Sequence, residues 1–399
     1  MNRKLLKQLK SEEVKTFMLA HEKSDPLDLL LKRDKYPELP IPEIVEQLIS
    51  RKKAKNKLPE FYENAEIVYP PILSMEQCSS EATARYKSQI CQGKKIIDLT
   101  GGFGIDLYYL SKRFQQATYV ERNVELSNIA QLNFATLSAD NIESFSMSAE
   151  QYLQEELKPA TSYYLDPARR NDANNKVFRL EECTPNMAVL LPLLRNKKAE
   201  VIIKLAPLLD ITQALRVLKN VKEVHVVAVR NEVKELLFRI IPSWEKPVKI
   251  IAVNLLSKGT HSFGFDPNGE KESVREYGMP STYLYEPNAA IMKAGGFNSI
   301  AIKFDLKKLH RNSHLYTSEE EKKDFFGRHF KIKHITSLNK KKIKKLLPQM
   351  KANITVRNCP HSVNEIRKKT GISDGGDVYL FVTTILSGEI KVLICEKMR

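Results

Sequence analysis

Ile96-Ile97-Asp98-Leu99-Thr100-Gly101-Gly102-Phe103-Gly104-Ile105-Asp106 reads as a β-branched apolar strand, a glycine turn, and a helix beginning near Leu107. Glycine lets the backbone bend tightly and approach a ligand with no Cβ in the way. The C-terminal edge of an open parallel sheet is where ligands bind. The stretch therefore predicts a nucleotide-like ligand over Gly101, Gly102 and Gly104. The next strand, Ala117 to Val120, delivers Glu121 at its tip, where a carboxylate accepts the ribose hydroxyl protons of an adenosine. A pyrophosphate fits poorly. The dinucleotide fingerprint places another glycine beyond Gly104, and Asp106 would oppose an anion at the helix start.

Outward from this turn, short β-branched runs alternate with amphipathic segments: Ser162 to Leu165, Val201 to Leu205, Val224 to Val229 and Val248 to Val253. That alternation predicts an α/β fold with a doubly wound, Rossmann-like sheet. Upstream, from Glu12 to about Leu58, apolar residues recur at helical spacing. Pro26 follows Asp25 as a first-turn proline follows a cap, and Pro42 opens another helix. Beyond Ser257 lies a turn-rich stretch, and the chain ends in two strand-like runs, Val378 to Thr384 and Ile390 to Cys395, joined around Gly388 as a hairpin. The expected division is an N-terminal helical domain over 1–73, a sheet domain over 74–257, and a small basic α+β domain over 258–399. Trp244, with Leu236, Leu237, Ile240 and Ile241, reads as core.

The 399-residue chain carries a formal charge of +16, and most of it is local: Lys303 to Lys369 holds nineteen Lys or Arg against six Asp or Glu. Aromatic residues and histidines, among them Tyr316, Phe325, Phe326 and Phe330, are interleaved with that charge. Cations that displace counterions beside rings that stack on unpaired bases read as an RNA-binding signature, with Lys341, Lys344 and Lys345 as substrate-binding candidates. A solvated amphipathic helix around Ile343, Leu346 and Leu347 is the alternative. Five scattered cysteines form neither a disulfide framework nor a zinc-spaced set, and His310 and His314 lack the glutamate of a metalloprotease motif, so no metal is expected. No apolar run approaches membrane-spanning length, and a cytoplasmic location is expected.

The stretch Asp98 to Gly104, followed by Glu121, resembles motif I and the ribose-binding acid of class I S-adenosylmethionine-dependent methyltransferases. The resemblance implies a seven-stranded sheet whose last strand is antiparallel. It also implies S-adenosylmethionine held by Asp98, Thr100, Gly101, Gly102, Gly104, Glu121, Arg122, Ser148 and Ala149. Ser148 stands where the family often has an acidic residue against adenine. Tyr163 to Arg170 resembles the substrate-facing motif at the fourth strand's tip, which implies catalytic roles for Asp166, Pro167 and Arg169 and a substrate contact for Arg170. Ala168 and Arg169 replace the second proline and the aromatic residue of the amino-methylating version. Gln77 to Ala84 looks like the cofactor-covering segment of RNA cap guanine-N2 methyltransferases. Over its whole length the chain is similar to a bacterial group of class I methyltransferases with a THUMP-like C-terminal domain, which implies tRNA or rRNA as substrate. A catalytically inactive RNA-binding protein, or a methyltransferase of proteins or small molecules, are the competing expectations.

Overall fold

The computed structural model describes residues 3–155, 158–169, 182–273 and 276–398. The chain divides into two compact units, Met1–Lys222 with Glu235–Lys246, and Glu223–Lys234 with Pro247–Arg399. The strands that matter for the site are β1 (Lys95–Asp98), β2 (Gln116–Val120), β3 (Ile142–Phe145), β4 (Ser162–Leu165), β5 (Glu200–Leu205), β6 (Val221–Val229) and β7 (Glu232–Ile240). In the first unit the order is β3-β2-β1-β4-β5-β7. The first five run parallel, and β7 pairs antiparallel with β5 from Val201 opposite Ile240 to Leu205 opposite Leu236. The doubly wound sheet and an antiparallel strand beside β5 are present as expected, but the sheet counts nine strands among the described residues where seven were implied. All four residues of β4 are buried, as is usual for a central parallel strand covered on both faces.

The N-terminal helices form where caps and prolines allow. Ser11, Asp25 and Ser80 accept backbone N–H groups at the starts of Glu12–Ala20, Pro26–Leu31 and Glu81–Ile90, and Pro26 sits in the first turn of its helix. Leu6, Ile44, Leu48, Phe61 and Tyr69 from this segment share one buried cluster with Ile96, Leu107, Tyr119 and Ile202. Two side-chain amides fasten the connecting strip to the rest of the unit. Gln47 exchanges two hydrogen bonds with the backbone of Tyr69 (2.7 and 2.8 Å), and Asn133 exchanges two with Val68 (2.8 and 3.0 Å). These clamps fix where the following helices, and with them Ser79 and Lys87, meet the sheet. Trp244 differs from expectation. It lies past the end of β7, partly exposed, between the ammonium groups of Lys222 and Lys246 at 5.3 and 5.9 Å from its ring.

In the second unit, β6 pairs parallel with Lys249–Leu255, which pairs antiparallel with Thr260–Phe265. A separate seven-stranded sheet follows, and the expected C-terminal hairpin, Val378–Thr384 with Ile390–Lys397, is part of it. Period-two alternation divides the hairpin between two cores. Leu380, Val382, Val392 and Ile394 pack beneath Ile343 and Ile366 of the helices Lys340–Leu346 and Val363–Thr370. Phe381, Leu393 and Cys395 face Leu284 and Phe330. The aromatic part of the RNA signature is corrected here. Tyr316, Phe325 and Phe330 are buried core residues, because they fall on inward positions of strands and loops. No described helix is long and apolar enough to cross a membrane.

Candidate active site

Three strand tips converge in the first unit. Asp98 ends β1, Glu121 follows β2 and Asp166 follows β4. Between them the glycine turn runs close to the sheet. Gly101 stands where a Cβ would meet the Tyr119 ring at 2.2 Å, and Tyr119 donates its hydroxyl to the Gly102 carbonyl at 2.6 Å. Gly104 has φ +83° and caps helix Ile105–Ser111 in the left-handed region, so any side chain there would be strained. Glu121 is fastened to the turn. Its Oε2 accepts the Gly102 N–H at 2.8 Å and its Oε1 accepts the Asn123 N–H at 2.7 Å, leaving further lone pairs on both oxygens.

Thr100 joins the first and fourth strands. Its hydroxyl donates to Asp98 Oδ1 at 3.1 Å and accepts the Asp166 N–H at 2.7 Å, while its own N–H donates to Asp98 Oδ1 at 2.9 Å. Asp98 is buried. Burial first, then the charges of Asp106 and Asp166, push its carboxyl up to about 8, against the pull of the two Thr100 hydrogen bonds. From the ordinary Asp value of 3.8 up to about 8, the unfolded chain has released a proton that the folded protein keeps, so this group's contribution to stability falls as pH rises through that window. Urea midpoints should therefore decline more steeply between about pH 5 and 8 in the wild type than in Asp98→Asn, which keeps an oxygen for Thr100. Parallel declines would contradict the buried protonated Asp98.

Beneath Asp166 lies a charged network that sequence reading did not find. Lys204, on β5, holds Asp166 Oδ2 at 2.5 Å and reaches Ser79 Oγ at 3.2 Å. Ser79 donates to Asp106 Oδ2 at 2.8 Å and accepts from Lys87 at 3.0 Å. Lys87 is wholly buried. It donates to both oxygens of Glu235 on β7 (2.9 and 2.7 Å) and pairs with Asp106 Oδ1 at 3.1 Å, and Tyr164 donates to Asp106 Oδ2 at 2.7 Å. Burial opposes the charge of Asp106, but Lys87 and then Lys204 outweigh it and hold that carboxyl below its usual range. Burial raises Glu235, with the two lysines opposing. Lys204 is raised: burial works against its charge, and Asp166, Asp106 and Glu235 overcome it. Asp106, expected to oppose an anion at the glycine turn, is instead turned into this network.

The remaining expected site residues fall as follows. Pro167 is buried behind Asp166, and Arg122 is exposed beside Glu121. Ser148 caps helix Ala149–Gln154, its Oγ accepting the Gln151 N–H at 3.1 Å, and Ala149 is buried. Ala168–Arg169 forms a two-residue ladder with Cys183–Thr184. The side chain of Arg169 and the whole of Arg170 lie outside the described residues. Lys341, Lys344 and Lys345 are exposed on helix Lys340–Leu346 of the second unit.

Comparison with known proteins gives a full-length match. A crystal structure from Porphyromonas gingivalis W83, described as a candidate methyltransferase, is 32% identical over 100% of both chains, with a TM-score of 0.87. A candidate methyltransferase from Escherichia coli is 21% identical over 40% of this chain and 84% of its own (TM-score 0.29). A Streptococcus mutans candidate methyltransferase in complex with SAH is 12% identical over 44% and 99% (TM-score 0.30). A family model described as a ferredoxin-like domain matches residues 283–325, and one described as THUMP domain-like matches 327–397. None of the curated proteins matches the chain.

Proposed function

The chain belongs to the class I S-adenosylmethionine-dependent methyltransferases, in the group with a THUMP-like C-terminal domain, and from that premise we propose that it methylates RNA, with S-adenosylmethionine as donor. The observation that carries the proposal is the joining of the two carboxylates to one turn. Glu121 is bound to Gly102, and Asp166 is bound through Thr100 to Asp98. The residues suit a cationic adenosine ligand. Glu121 offers lone pairs to a ribose, Gly101 and Gly104 leave the turn free of side chains, and around Asp166 two ammonium groups, Lys87 and Lys204, face three carboxylates, Asp106, Asp166 and Glu235. When bound, S-adenosylmethionine supplies an electrophilic methyl group on a sulfonium. Displacement at that carbon needs alignment more than covalent help, so the work of the protein is to seat the donor and point the nucleophile. Asp166, half-buried and anchored at its N–H, is the group that holds the nucleophile's hydrogen.

RNA is favoured by the THUMP-like match and by the exposed lysines of helix Lys340–Leu346. Calorimetric titration with S-adenosylhomocysteine should show binding to the full-length protein, weakened about 100-fold or more in Glu121→Ala by loss of charge-assisted hydrogen bonds. No binding to the wild type would defeat the cofactor assignment. In filter binding with RNA, replacing Lys341, Lys344 and Lys345 together by alanine should flatten the log–log salt dependence by about 2 to 3. An unchanged slope would remove that helix from the RNA contact.

A further inference from the structure

We infer that the nucleophile is a hydroxyl oxygen, in RNA the ribose 2′-hydroxyl, and that Lys204 and Asp166 hold it together. This rests on the RNA methyltransferase reading and names the atom methylated. The reasoning starts from what stands beside Asp166. An exocyclic amino group can give hydrogens to a carboxylate, but its lone pair is drawn into the ring, so it has nothing to offer a donor standing beside that carboxylate. Here the neighbour is the Lys204 ammonium, which offers three donors and no acceptor. Two of its hydrogens go to Asp166 Oδ2 and Ser79 Oγ, and among the described residues the third has no partner.

A hydroxyl fits this pair. Its hydrogen goes to the Asp166 carboxylate, one lone pair accepts the remaining Lys204 hydrogen, and the other lone pair faces the methyl carbon. Both protein groups can be reached, because the Asp166 side chain is 35% exposed and that of Lys204 13%. In the transfer, an O–C bond forms as the S–C bond breaks, and the electron pair of that bond stays on sulfur as a neutral thioether. The hydroxyl proton moves to Asp166 and then to water. An ionised carboxylate is base enough, because an oxygen that has acquired a methyl group while keeping its hydrogen is strongly acidic. Lys204, paired with Asp166, stays charged, so it positions the oxygen and takes no proton. Ser79 accepts from Lys204 and, on its other lone pair, from Lys87, which gives the segment before the glycine turn a part in the chemistry.

The test uses full-length protein, tritium-labelled S-adenosylmethionine and RNA from cells lacking the protein, and asks where the label resides. A 2′-O-methyl group blocks alkaline cleavage of the adjoining phosphodiester, so the label should appear in alkali-resistant dinucleotides. Lys204→Met should lose about 100-fold or more of the transfer rate. It should keep wild-type affinity for S-adenosylhomocysteine by calorimetry and for RNA by filter binding, and Lys204→Arg should recover little, since the longer, planar head cannot reproduce the contact. Label in alkali-released mononucleotides would overturn the inference and leave the RNA methyltransferase reading standing. No label in RNA would overturn both. The wild-type result decides the matter even where a Lys204 variant does not fold.

Discussion

Replacing Asp166 by alanine is expected to lower methyl transfer by about 100-fold to 10,000-fold while S-adenosylhomocysteine still binds. The carboxylate is placed by two anchors, its N–H on Thr100 Oγ1 and its Oδ2 on Lys204, and neither touches Glu121. Removing it therefore takes away the hydrogen acceptor for the nucleophile and leaves Glu121 bound to Gly102. Alanine also strands the Lys204 ammonium, so Asp166→Asn, which keeps the shape and an oxygen, is the companion variant. It should fold like the wild type and still lose most of the rate, because an amide accepts a departing proton poorly. Transfer at the wild-type rate by either variant would remove Asp166 from the chemistry.

The largest effect on stability is expected at Lys87. With none of its side chain exposed, it faces Glu235, Asp106 and Ser79 at once. Lys87→Met leaves two buried carboxylates without their shared cation, a change that costs about 3–5 kcal/mol in comparable sites. In a unit of this size that corresponds to a melting temperature lower by roughly 6–20 °C. The double variant Lys87→Met with Glu235→Leu should regain much of the loss, since exchanging a buried pair for apolar side chains is often close to neutral. A single variant that melts with the wild type would mean that the network carries no net charge coupling. Loss of activity in the double variant despite restored stability would separate the role of Lys87 in holding Ser79, on which Lys204 also rests, from its role in folding.

The contrast between Glu121 and Lys87 shows what a sequence makes legible. Glu121 was readable because its meaning is local: a glycine turn, one helix and one strand separate it from Asp98, and period and turn chemistry fix all three. Lys87 lies on a short capped helix with Arg85 and Glu81, where a lysine ordinarily marks a solvated face. Its partner Glu235 is 148 residues away and lies, like any charged residue in a strand, where an exposed edge is the economical expectation. Lys204 was hidden differently. It interrupts the apolar run Val201 to Leu205 by one residue, and only the antiparallel insertion of β7 beside β5 and the arrival of Ser79 give that residue a purpose. The basic C-terminal stretch was legible in charge but not in its rings. Strand alternation placed Phe330 inside, and a composition count cannot separate the two faces.

The measurement that tests the central claim most directly is tritium transfer from labelled S-adenosylmethionine into total RNA from cells lacking this protein, with Glu121→Ala as control. The account predicts label in RNA with the wild type and little with the variant. Absence of label in RNA, in a protein that binds S-adenosylhomocysteine, would contradict RNA as the substrate and return the choice to a protein, a small molecule or an inactive RNA-binding chain.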